Sequence, residues 1–149
     1  FAEQKIHRRN SSTGVSAMKE LVWDDVLSVE NEEIDNDHRI LINLFNLLGR
    51  SVLSGASRAY VELVLEELIR CTAWHFSHEE RLMMLSGYGG LEEHRQEHRE
   101  LMESVREIQE EILRSGKLEE REFEILEQWL TGHILAADME FGEYLLNAA

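Results

Sequence analysis

From Ile34 onward the apolar residues recur in steps of three and four, the spacing that lines up one face of an α-helix. A first series, Ile34, His38, Leu41, Phe45, Leu48 and Val52, predicts a helix with Asp35 as its N-cap and Gly55 just past its end. A second starts near Ser57 and runs through Val61, Leu65, Leu68, Thr72, His75, Glu79 and Leu82 until Gly87 stops it. The third, Leu91, His94, His98, Leu101, Val105, Ile108 and Ile112, ends at Ser115 and Gly116. A fourth extends from about Glu119 to Leu146 through Phe123, Leu126, Leu130, His133 and Ala137. No stretch from Trp23 onward alternates with the period of a strand, and the chain contains no proline. Long helices with short connections run antiparallel to their neighbours. The expected fold is therefore all-α, an antiparallel up-down-up-down four-helix bundle. Residues 1–17 are polar, rich in serine and basic at Lys5, Arg8 and Arg9, and are expected to be an extended leader, linker or cloning remnant. The bundle domain is expected to occupy residues 18–149.

The apolar stripes carry seven residues that do not belong in an oily core: His38, His75, Glu79, His94, His98, His133 and Asp138. Antiparallel packing puts His38 near the start of the first helix and His75 and Glu79 near the end of the second. His94 and His98 fall near the start of the third, and His133 and Asp138 towards the end of the fourth. All seven then meet at one end of the bundle. The i,i+4 spacing of His75 with Glu79 and of His94 with His98 keeps each pair on one face, one turn apart. A single histidine on such a stripe is more often a satisfied core residue than a ligand. Seven buried polar groups without partners would cost roughly 1–3 kcal/mol each, comparable with the whole stability of a domain. A metal centre resolves the conflict.

Composition narrows the functional classes. Hydrophobic residues make up 43% of the 149, enough for a sizeable core in one domain. A formal charge of −15 opposes binding to nucleic acid or to anionic membranes, and no apolar run is long enough to span a bilayer. The single cysteine, Cys71, fits a reducing cytoplasm. His7 in the leader and His78, one step off the second stripe, read as surface residues. There is no H-E-x-x-H, no C-x-x-C and no histidine with a glutamate three residues before it, so the usual zinc and carboxylate-bundle signatures are missing. Imidazole-rich ligation with two carboxylates, in more ligands than one first-row ion takes, suits two iron ions.

At these residues the chain resembles the hemerythrin family, over about residues 22–146. The matching stretches are Trp23 leading to Ile34-Asp35-Asn36-Asp37-His38, then His75-Phe76-Ser77-His78-Glu79-Glu80, Tyr88 with His94 and His98, and Trp129-Leu130-Thr131-Gly132-His133 with Asp138. The resemblance implies that His94, His98 and His133 hold one iron and His38 and His75 the other. Glu79 and Asp138 would bridge them, with an oxo or hydroxo group as the third bridge. The iron with fewer nitrogens keeps an open position for dioxygen or small anions. Trp129 and Leu130 match the family's dioxygen pocket, and Leu41 and Phe45 are further wall candidates from the periodicity. The resemblance implies reversible dioxygen binding rather than enzymatic turnover. An oxygen or redox sensor with a fused or separate signalling or redox partner, and a di-iron enzyme acting on dioxygen, peroxide or nitric oxide, are the alternatives.

Three departures from the family pattern stand out: Gly89 and Gly90 after Tyr88 where proline is common, Glu30 where glycine is usual, and Asp37 where glutamine or glutamate commonly precedes the first histidine. One geometric conflict remains. His133 and Asp138 are five residues apart, which on a regular helix separates them by about 140°. A π-type widening between Gly132 and Asp138 is expected to bring them onto one face.

Overall fold

The computed structural model describes residues 8–9 and 20–148. Four long helical stretches pack as an antiparallel bundle, as the periodicity predicts. Helix α1 spans Glu32–Leu53, α2 Arg58–Ser86, α3 Leu91–Ser115 and α4 Glu120–His133. A π-helical segment, Ile134–Asp138, joins α4 to α5, Met139–Ala148, within one continuous rod. Ahead of them, β1 (Arg8–Arg9) pairs antiparallel with β2 (Glu20–Leu21), and a 3-10 turn covers Asp25–Leu27. The expected leader, residues 1–17, lies outside the described residues apart from Arg8–Arg9.

The helix ends follow local chemistry. Asn31, not Asp35, caps α1: its extended backbone turns the side chain to accept from the Ile34 amide at 3.1 Å. Asp35 lies a turn inside and is buried. Its carboxylate accepts from the Val29 amide at 2.9 Å and the Ser28 hydroxyl at 2.6 Å, which ties the incoming loop to the helix. Ser57 caps α2 by accepting from the Tyr60 amide at 3.2 Å, and α2 stops at Gly87, whose φ of 69° is left-handed. Gly116 ends α3 in the same way.

The core is divided. A large apolar cluster includes Leu41, Phe45, Leu65, Leu68, Ile108, Phe123 and Ile134. A small one contains Val29, Ile34, Met83 and Phe141, with Tyr88 and Leu91 packed against it. On α1 the chain passes from Ile34 of the small cluster through His38 to Leu41 of the large one. On α2 it passes from Ile69 of the large cluster through His75 and Glu79 to Met83 of the small one. Asp138 lies likewise between Ile134 and Phe141. The polar residues thus form one layer sandwiched between two dry ones.

Candidate metal centre

All seven sequence-predicted polar residues are buried, with His38, Glu79 and Asp138 at 0% exposure. The donor atoms of Glu79, His94, His98, His133 and Asp138 lie within 4.8 Å of one another, and so do those of His38, His75, Glu79 and Asp138. The two carboxylates belong to both groups. Their oxygens divide between the halves. Asp138 Oδ2 lies 2.8 Å from His38 Nε2, while Oδ1 lies 2.8 Å from His133 Nε2 and 3.0 Å from His94 Nε2. Glu79 Oε2 lies 3.2 Å from His75 Nε2, while Oε1 faces His94 Nε2 closely and His98 Nε2 at 3.6 Å.

Asp138 reaches this position because the chain widens where the i,i+5 spacing requires it. Ile134–Asp138 is π-helical, so His133 and Asp138 turn to the same side, and Asp138 is buried in place of half-buried Ala137.

The donor chemistry fits metal ions. All five histidines turn Nε2 inward, and pairs of these nitrogens approach closely, His38 to His75 at 3.2 Å and His98 to His133 at 3.1 Å. Both Glu79 oxygens and Asp138 Oδ2 sit beside imidazole nitrogens, yet make no hydrogen bond of acceptable geometry. Buried polar atoms left this way are costly, and lone pairs that converge on a common point instead of on one another are what a cation needs.

Without metal the cluster is an ionic network. Burial works against ionisation of Glu79, but His75, His94 and His98 outweigh it and hold its carboxyl down at about 2. Asp138 is likewise held well below the usual range, burial being overcome chiefly by His133 and His38. Burial also opposes protonation of the imidazoles. For His94, Asp138 and Glu79 reverse that effect and raise it to about 9, and for His133, Asp138 and Glu97 raise it to about 10. At His98 burial prevails and its pKa is lowered.

Outer partners orient several rings. His75 Nδ1 donates to Asp37 Oδ2 at 2.8 Å, and His133 Nδ1 to Glu97 Oε1 at 2.7 Å. Phe76 stacks on His98 with ring centroids 3.8 Å apart. The surface reading of His78 is corrected: its side chain is only 10% exposed and its Nδ1 donates to Asp37 Oδ2 at 2.6 Å. Neither Asp37 nor Glu97 stands on an apolar stripe. Each precedes a ligand candidate on its own helix but serves a histidine of another, a relation that periodicity along one helix does not encode.

A cavity of about 50 Å³ opens onto His38, His75, His133 and Asp138. Trp129 and Leu130 line it, as do Leu41 and Phe45, and the sequence did not single out Leu101, Val105 and Thr72 for this wall. The Thr72 hydroxyl donates to the Leu68 carbonyl at 2.7 Å, so its proton is already occupied.

The family profile described as the hemerythrin HHE cation binding domain matches residues 29–145. The chain belongs to the hemerythrin family. It is 32% identical over 117 residues to a bacteriohemerythrin of Pseudomonas paraeruginosa, covering 78% of this chain and 76% of that protein. A bacteriohemerythrin of Stenotrophomonas maltophilia is 30% identical over 123 residues, 83% of this chain and 80% of that one. Similarity extends to animal proteins: a myohemerythrin of Riftia pachyptila is 28% identical over 120 residues, 80% and 89% of the two chains. Hemerythrin domains bind a di-iron centre, and the family supports oxygen binding at non-haem iron. No helix among the described residues is long and apolar enough to cross a membrane.

Proposed function

We propose that this hemerythrin binds dioxygen reversibly, for carriage, storage or delivery, with His94, His98 and His133 holding one iron, His38 and His75 the other, and Glu79 and Asp138 bridging. The observation that carries this reading is the cavity of about 50 Å³ that opens onto both histidines of the two-histidine half, together with His133 and Asp138. The cavity's lining away from the cluster is mostly apolar, and the space has room for a diatomic or a small anion. When bound, the iron pair supplies the electrons and the open coordination position for dioxygen.

The protein's own residues do the rest. Glu79 and Asp138 each present one oxygen to either half, which suits bridging. Leu41, Phe45, Trp129 and Leu130 keep the approach apolar, and the engaged Thr72 hydroxyl donates no proton into it. Excluding water and mobile protons favours release of the ligand as dioxygen over irreversible oxidation of the centre. The apolar wall, which keeps water from the centre, favours reversible binding over enzymatic turnover. A cytoplasmic setting belongs to this reading, supported by the lone, free Cys71.

The test is to load the chain with iron, reduce it without oxygen, admit air and follow the visible charge-transfer bands through repeated deoxygenation. Two irons per chain and a reversible oxy form are expected. Rapid oxidation with turnover of product would replace this reading with the enzymatic one, and about one zinc per chain in place of iron would end it.

A further inference from the structure

The two halves of the cluster hold their histidines from behind in different ways. His133 has a carboxylate to itself: Glu97, 43% exposed at its side chain, accepts from Nδ1 at 2.7 Å. His75 shares one. Asp37 is 6% exposed, and its Oδ2 alone accepts from both His75 Nδ1 at 2.8 Å and His78 Nδ1 at 2.6 Å. On its far side His78 Nε2 lies 3.4 Å from the exposed carboxylate of Glu33, and its ring packs against Trp74 with centroids 5.1 Å apart. A continuous chain, Glu33, His78, Asp37, His75, therefore leads from the surface to the half with fewer nitrogens.

The geometry points to His78 as a positioning residue that tempers the donor strength of His75 by competing for the same oxygen of Asp37. This inference rests on the reading in which His75 holds iron. The carboxylate is acceptor-only, so each ring presents Nδ1–H to it, which leaves His75 Nε2 as the lone pair turned into the cluster. Two donors on one oxygen divide its negative charge, and the bond from His78 is the shorter. Each weakens the other's polarisation of its ring. With His78 removed, Asp37 would serve His75 alone, making that imidazole a stronger donor and its iron more tightly held. His133 has no such competitor at Glu97, so the effect is confined to one half.

The experiment compares the wild-type full chain, His78→Phe and His78→Gln, each iron-loaded and reduced, by proton NMR of the ring N–H groups of iron-bound imidazoles. These resonances are displaced by the paramagnetic iron. His78→Phe fills the space beside Trp74 but cannot donate, whereas His78→Gln restores an N–H. In His78→Phe the His75 resonance is expected to shift while that of His133 stays in place, and chelator extraction of iron from the His38–His75 half slows by up to about 10-fold. His78→Gln should return both towards wild type. An unmoved His75 resonance, equal shifts at both histidines, or loss of the His75–Asp37 bond overturns the inference. If His78→Phe does not fold, nitrogen-15 spectra of the wild type decide: a His78 Nδ1 without its proton overturns it, and a protonated one bonded to Asp37 supports it. A wild-type chain that takes up no iron shows no displaced resonances at all, which identifies failure of the iron reading itself.

Discussion

Single residues depart from the family pattern at positions with physical consequences. Glu30, where the family usually has glycine, is the one described non-glycine residue with positive φ, at 58°. An L-residue held there costs roughly 1–2 kcal/mol, of which glycine's greater freedom in the unfolded chain returns part. Glu30→Gly is therefore expected to stabilise the protein by about 0.5–1 kcal/mol, read as a higher urea midpoint at unchanged slope. His38 makes a different case, because its Nε2 faces only the two-histidine half, beside His75 and Asp138. His38→Ala should lower iron content from two to about one per chain by metal analysis, and equal loss from both halves would argue against the proposed division. Both positions could be picked out in the sequence. Glu97 could not be, and Asp37 stood out only as a departure from the family pattern, since their partners come from across the bundle and nothing in their own helix marks which histidine each serves.

Helix positions were legible wherever one periodic stripe dominates, and the ends were legible wherever glycine stops the helix, as at Gly87 and Gly116. The start of α1 was misread because Asp35 and Asn31 are both good caps by type. Only tertiary structure shows that Asp35 is spent on Ser28 and Val29. The π segment was readable for the opposite reason: two ligand candidates five apart on a helix are a contradiction that one extra residue per turn resolves. Just beyond it, α5 approaches the loop before α1 so closely that a Cβ on Gly142 would overlap the Val29 carbonyl oxygen. That neighbour is backbone and cannot rotate away. Gly142→Ala is expected to destabilise by about 1–3 kcal/mol, measured by chemical denaturation, as α5 is pushed off the small apolar cluster.

At the scale of the whole molecule, fold and site are one arrangement: a bundle whose two dry clusters are separated by a polar layer must be stabilised either by protons or by metal. The two states respond oppositely to pH. In the metal-free protein His94 at about 9 and His133 at about 10 lie above the ordinary histidine value, burial being outweighed by the surrounding carboxylates. A raised histidine contributes stability that is complete below about pH 6.5 and is lost as pH climbs through the folded value. Glu79, held at about 2, contributes above its ordinary range and loses that contribution only as pH falls towards 2. His98, lowered by burial, works the other way: it penalises the folded state in acid, and that penalty vanishes as the ring becomes neutral. The metal-free chain should therefore weaken between pH 6.5 and 10, as the protons that bind the layer together leave. Metal loading requires those same protons to leave first, so iron affinity should rise across that window and fall in acid. Denaturation of metal-free and iron-loaded protein at pH 6, 8 and 10 measures both slopes. The stabilisation conferred by iron should grow with pH, and a metal-free chain as stable at pH 10 as at pH 6 would show that the carboxylates do not hold His94 and His133 protonated.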